Sequence, residues 1–149
     1  MKKILVAIDF SAGSAQALRW ALKLSIKFDS QLLLLHILHD PAEAPGFYCS
    51  EKSGTKVFRN MEEAASTMMD EFVEKHLKDW EKFDARIIPG LPPEEIVRVA
   101  EKEEVDMIVI GTRGHSGIKR LMIGSVTDRV IRTCTCPVLA VHSEERTLE

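Results

Sequence analysis

The sequence predicts an α/β domain, an open doubly wound parallel sheet of five strands with helices on both faces, Rossmann-like in plan. Three observations carry this. Five short apolar runs alternate with segments whose apolar residues recur at three- and four-residue steps. The second of these runs, Leu32-Leu33-Leu34-Leu35-His36-Ile37-Leu38, is almost unbroken, as in a strand covered on both faces. Strand alternating with helix calls for parallel pairing and crossover helices.

Residues 3–8 read as strand one, followed by a helix with Ala15, Leu18, Ala21, Leu22 and Ile26 as its inner stripe. Strand two spans residues 32–38. Residues 40–55 hold Pro41, Pro45, Gly46, Ser50, Ser53 and Gly54 and read as a loop, long enough for a flap or a partner surface. A long helix over residues 58–82 follows, with Met61, Ala65, Met68, Phe72, Val73, Leu77 and Trp80 at helical spacing. Residues 85–88 form a short third strand. Pro92-Pro93 opens a helix whose inner face is Ile96, Val97 and Ala100, since proline is tolerated in a first turn. Residues 105–110 are strand four, a short amphipathic helix starts at Ser125, and residues 137–142 are strand five. Residues 1–147 are expected to form one domain, and Leu148-Glu149 is compatible with a cloning remnant.

The composition of this 149-residue chain is 45% hydrophobic and 29% charged, which suits a packed core rather than disorder. A formal charge of −3 supplies no overall drive toward nucleic acid or an anionic membrane. Neither is expected as a partner. Asp9 interrupts the opening apolar run, so a first strand is expected rather than a signal peptide, and a cytoplasmic location with it. Cys49, Cys134 and Cys136 form neither a CxxC nor a paired zinc set and read as structural. His36 and His39 lack a companion ligand, so no metal site is expected there.

The clearest functional signal follows strand four. Gly111-Thr112-Arg113-Gly114 is followed after nine residues by Gly124-Ser125, where the last helix begins. Glycines let main-chain N–H groups approach a ligand, and a helix N-terminus adds unpaired donors with partial positive charge. This describes a phosphate cradle, with Ser125 as helix cap and the Val126 and Thr127 amides beside it. Arg113, Lys119 and Arg120 put cations around it, and His115 could face the same ligand. The pattern is neither a Walker loop nor G-x-G-x-x-G, which argues against efficient phosphoryl transfer and against dinucleotide binding. Asp9, at the end of strand one, could meet a ribose or Mg²⁺ carried by phosphates, or cap helix one with Ser11. No catalytic triad can be assembled.

These residues resemble the universal stress protein family, particularly its ATP-binding branch, whose motif G-x2-G-x9-G-[ST] is matched by Gly111, Gly114, Gly124 and Ser125. The opening Ile4-Leu5-Val6-Ala7-Ile8-Asp9-Phe10-Ser11 and the segment Cys136-Pro137-Val138-Leu139-Ala140-Val141 are similar to that family as well. The resemblance implies strand order 3-2-1-4-5 and an ATP site with Mg²⁺. In it, Ala7 and Ile8 neighbour the base, the Ile37 backbone recognises adenine and Asp9 lies near ribose. Gly111, Gly114, Gly124 and Ser125 hold phosphate, with Thr112, Val126 and Thr127 as accessory contacts. It further implies a homodimer through Val138–Val141 and a regulatory role in stress response, switching conformation or an unidentified protein partner with nucleotide. A slow ATPase or autophosphorylating enzyme, or a nucleotide-free dimeric interaction module, are the rival expectations.

Overall fold

The computed structural model describes residues 1–39, 51–113 and 122–143, with side chains of its second helix described from residue 56 onward. Five strands, β1 (Lys3–Ala7), β2 (Gln31–Leu38), β3 (Phe83–Pro89), β4 (Met107–Gly111) and β5 (Val138–Val141), form one parallel sheet in the order β3-β2-β1-β4-β5. Four helices, α1 (Ala12–Phe28), α2 (Glu51–His76), α3 (Pro92–Lys102) and α4 (Ser125–Thr133), cover both faces.

Side chains of a strand alternate between faces, and the two cores follow that alternation. Ile4 and Val6 of β1, and Ile8 just after it, join Leu32, Leu34 and Val109 beneath α1 and α2, against Ala17, Leu18, Ala21, Met69 and Phe72. Leu5, Ala7, Leu33, Leu35, Ile37, Ile108 and Ile110 face α3 and α4, against Ile96, Val99, Ala100 and Val130. Both faces of the central strands are therefore dry, which explains their unbroken apolarity.

The helices depart from expectation where periodicity alone was the guide. The inner face of α1 is Ser14, Ala17, Leu18, Ala21 and Ser25, and Ile26 is 61% exposed. Small residues let α1 settle close to the sheet, which rotates its buried stripe away from Ile26. Helix α2 starts at Glu51, so residues 51–57 are helical rather than loop, and it stops at His76 rather than at residue 82. A helix already nucleated and packed carries a single glycine at about 1 kcal/mol. Leu77 and Trp80 still pack inward, but from the turn after the helix. Met69, not Met68, is the buried methionine. The rest of the expected loop, residues 40–50, lies outside the described residues.

Between β1, β3 and the end of α3 sits a charged tie. Glu103 accepts hydrogen bonds from Arg86 Nη1 at 2.7 Å and Lys3 Nζ at 2.9 Å. Arg86 first, and Lys3 second, hold its carboxyl at about 2 rather than the ordinary 4.5. Folding lowers this pKa, so the tie stabilises fully above about 4.5 and is lost as pH falls through about 2. Glu103→Gln is expected to flatten the fall in melting temperature across that acid window. An unchanged slope would show that Glu103 is not the group responsible.

Candidate functional site

The chain enters β1, moves outward through β2 and β3, then crosses back to β4 on the other side of β1. Open sheets of this kind present a crevice beyond the carboxyl ends of the strands at such a reversal. A cavity of about 560 Å³ lies there, on the face covered by α3 and α4.

One wall is apolar, built from Ala7, Leu35, Ile37, Ile110, Pro92 and Ile96. Ala7 is the small residue in this wall, and its methyl leaves a slot where its neighbours are branched. Ile37 lines the same cavity. Odd-numbered residues of β2 bond toward β1, since Gln31 N–H donates to Lys2 O and Leu35 O accepts from Ile8 N–H, each at 2.8 Å. The register with β1 ends at the pair Ala7↔Leu35. Ile37 therefore turns its N–H and C=O over the open end of β1. His36 fills part of that end, its Nδ1 donating to Ile8 O at 2.7 Å; a carbonyl can only accept, so this nitrogen carries the proton.

The opposite wall is polar and belongs to β4 and α4. The N-cap of α4 is Gly124 rather than Ser125, and glycine has no side chain with which to cap the helix. Ser125 is instead the first helical residue, and Asp128, the would-be capping partner, pairs with Arg132. Helix geometry leaves the Ser125, Val126 and Thr127 N–H groups without intrahelical acceptors. All three residues line the cavity. Two bonds fix α4 here: Gly124 N–H donates to Thr112 O at 2.7 Å, and Thr127 Oγ1 donates to Gly111 O at 2.7 Å.

The glycines serve packing as well as access. A Cβ on Gly111 would lie 2.8 Å from the carbonyl carbon of Gly13, and one on Gly13 would lie 2.3 Å from Arg113 O. The end of β4 and the first turn of α1 thus meet backbone to backbone. Arg113 also lines the cavity, and its Nε is buried with no hydrogen-bond partner among the described residues. A buried guanidinium nitrogen left so is a costly arrangement unless something anionic meets it.

Asp9 also lines the cavity. Its Oδ1 accepts from Ser11 N–H at 3.0 Å and from the Ser11 hydroxyl. Ser11 is the N-cap of α1, its Oγ accepting from Ser14 N–H at 3.2 Å. Asp9 therefore braces the cap rather than being it. Phe10 between them adopts φ 64°, a left-handed conformation costing roughly 1–2 kcal/mol for such a residue. Its ring is held 4.6 Å from His36 and 5.8 Å, edge-on, from Phe72.

Of the residues singled out from sequence, Ala7, Ile8, Asp9, Ile37, Gly111, Arg113, Gly124, Ser125, Val126 and Thr127 come together around this one cavity. The Ile8 side chain, however, packs in the opposite core. Thr112 is not in the wall. It is buried beside β5, with Oγ1 3.1 Å from His142 Nδ1 and its N–H on Val141 O. Gly114, His115, Lys119 and Arg120 lie outside the described residues. Gly13, Ser14, His39, Pro92 and Ile96 were not anticipated. A glycine in the first turn of a helix, where it costs stability, was the available signal for Gly13.

A groove of about 650 Å³ between α1 and α2, bordered by Phe10, Arg19, Phe72 and Lys75, contains none of the β4 or α4 groups. Cys134 Sγ donates to Cys136 O at 3.2 Å, and burial pushes the Cys136 thiol up, which suits packing rather than reactivity. Among the described residues no group of three potential ligands could hold a metal, and no helix is long and apolar enough to cross a membrane.

Comparison with known proteins gives a consistent picture. The model of the Universal stress protein family matches residues 1–142. Universal stress protein MJ0531 of Methanocaldococcus jannaschii is 32% identical over 146 residues, covering 97% of this chain and 84% of its own. The solved structure of protein MJ0577 from the same organism superposes with a TM-score of 0.83 at 30% identity, covering 96% of each chain. A universal stress protein from Archaeoglobus fulgidus, solved in complex with dAMP, shares the fold with a TM-score of 0.64 at 22% identity, covering 94% and 97%.

Proposed function

The chain belongs to the universal stress protein family, and from that premise we propose that its crevice binds ATP with Mg²⁺ as a regulatory ligand. The observation that carries this reading is one cavity with an apolar wall at one end and, at the other, a helix N-terminus whose cap residue is a glycine. A purine needs the first and a phosphate chain needs the second. The base lies against Ala7 and Ile110, hydrogen-bonded by the Ile37 main chain. Asp9 accepts from ribose hydroxyls. The Ser125, Val126 and Thr127 amides and the Ser125 hydroxyl hold phosphate oxygens, with Gly111, Gly114 and Gly124 of the motif giving them close main-chain approach. Arg113, in the cavity lining, supplies positive charge beside the phosphates. The related protein solved with dAMP supports an adenine nucleotide as the ligand class.

The regulatory part of the proposal rests on position. The crevice borders β4, and β4 pairs with the edge strand β5. An edge strand as apolar as Val138–Val141 is protected by pairing with a second copy. Nucleotide bound against β4 thus lies one strand away from the edge shown to a partner. Calorimetric titration with Mg-ATP tests the site, beside mass spectrometry of ligand carried through purification. Arg113→Ala is expected to weaken binding about tenfold or more, the scale of one hydrogen bond to a charged group. Equal affinity in wild type and variant would remove Arg113 from the site, and no binding by either would remove the reading.

A further inference from the structure

We propose that the outward face of α1 is a docking surface for bilayers rich in anionic phospholipid. Helix α1 contains no acidic residue, although the chain as a whole carries a net charge of −3. Its side facing away from the sheet carries Arg19, Trp20, Lys23, Ile26 and Lys27, which recur at three- and four-residue steps and are all exposed. Trp20 is 44% exposed, Ile26 61%, and Phe28 at the end of the helix 47%. One exposed apolar side chain needs no explanation. Three on one helix, interleaved with three cations and no acid, form a pattern that water alone does not favour.

The local geometry matches the chemistry of a headgroup layer. Lys23 Nζ lies 4.5 Å from the centroid of the Trp20 ring, and Lys27 Nζ lies 6.0 Å from that of Phe28. The ammonium groups thus sit over the aromatic rings, cation and apolar surface side by side. Such a pair can seat the ring at the acyl boundary while the cation meets a lipid phosphate. Among the described residues none of Arg19, Lys23 and Lys27 is in an ion pair. The acid closest in sequence, Asp29, is held by Lys82.

Other occupants fit less well. A second copy stacked on this face about a two-fold axis would set the three cations against themselves. An acidic protein segment needs a groove for its anchors; Arg19 borders the groove between α1 and α2, but Trp20, Lys23, Ile26, Lys27 and Phe28 border neither cavity described above. A fluid bilayer requires no such fit. Overall charge conceals this feature, because attraction to a charged surface falls off within a Debye length and is set by the nearest groups. Helix α1 also covers the sheet face opposite the crevice, so docking leaves the crevice open. The inference does not depend on the nucleotide reading.

Co-sedimentation tests it, using vesicles of equal parts phosphatidylglycerol and phosphatidylcholine against vesicles of phosphatidylcholine alone. The full chain is expected to partition onto the anionic vesicles at least about tenfold more strongly, with the gap closing as salt rises. Its tryptophan emission should move to the blue on binding, and Trp20→Ala should abolish that movement. The Lys23→Glu/Lys27→Glu variant should lose at least about tenfold in partitioning while keeping its melting temperature. Wild type left in the supernatant, or a double variant that binds as well as wild type, would overturn the proposal. Capture by polyglutamate through the same lysines, with no vesicle binding, would overturn it in favour of an acidic protein partner.

Discussion

Gly13→Ala is expected to destabilise the fold by about 2–3 kcal/mol, although it replaces a poor helix former with the best one. Propensity favours alanine by about 1 kcal/mol in a helix interior. Against that stands a Cβ 2.3 Å from Arg113 O, a main-chain atom that cannot swing aside. The first turn of α1 or the end of β4 must move, and both are tied elsewhere, by the Ser11 cap and by the bond from Thr112 N–H to Val141 O. Packing strain therefore exceeds propensity. Thermal unfolding should show a melting temperature lower by roughly 5–10 °C for a chain of this size. Because the displaced atom belongs to Arg113, Mg-ATP affinity should fall as well. A variant that melts at or above the wild-type temperature would show that the contact yields easily.

Ala7→Leu is expected to abolish measurable nucleotide binding while leaving the chain folded. Ala7 sits in the middle strand with its methyl facing the crevice, level with Leu35 and beside Ile37. An isobutyl group there enters the slot proposed for the base, and the cavity of about 560 Å³ can receive it without forcing the core apart. A loss of at least about 30-fold in affinity, near 2 kcal/mol, is the expected size. Circular dichroism and a melting temperature within a few degrees of wild type complete the result. Undiminished Mg-ATP binding by a folded Ala7→Leu chain would place the base elsewhere.

The strands were legible because burial on both faces leaves an unbroken apolar run, as in Leu32–Leu35. The strand order followed from the resemblance carried by the glycine motif, and the sheet has that order. Helix limits were less legible. Ser53 and Gly54 look like loop residues, yet lie within α2, because the local preference of two residues is small against the propagation of a 26-residue helix. Ser125 looks like a cap, yet the chain turns one residue earlier, at Gly124, where Thr112 O is met at 2.7 Å. That shift leaves the first-turn amides open where a serine cap would have covered one.

The sequence by itself determined the layered α/β plan, the apolar strands, and the pairing of a strand end with a glycine-rich turn and a helix start. Each is a local pattern, set by periodicity and by what glycine and helix termini can do. The tertiary structure alone decided that Gly111 faces Gly13, that Thr112 turns away from the crevice, and that Arg113 lines it. It also decided that the acid-free side of α1 faces outward. These are contacts between segments far apart in the chain, and their distances follow from how closely backbones approach, which no single stretch of residues encodes.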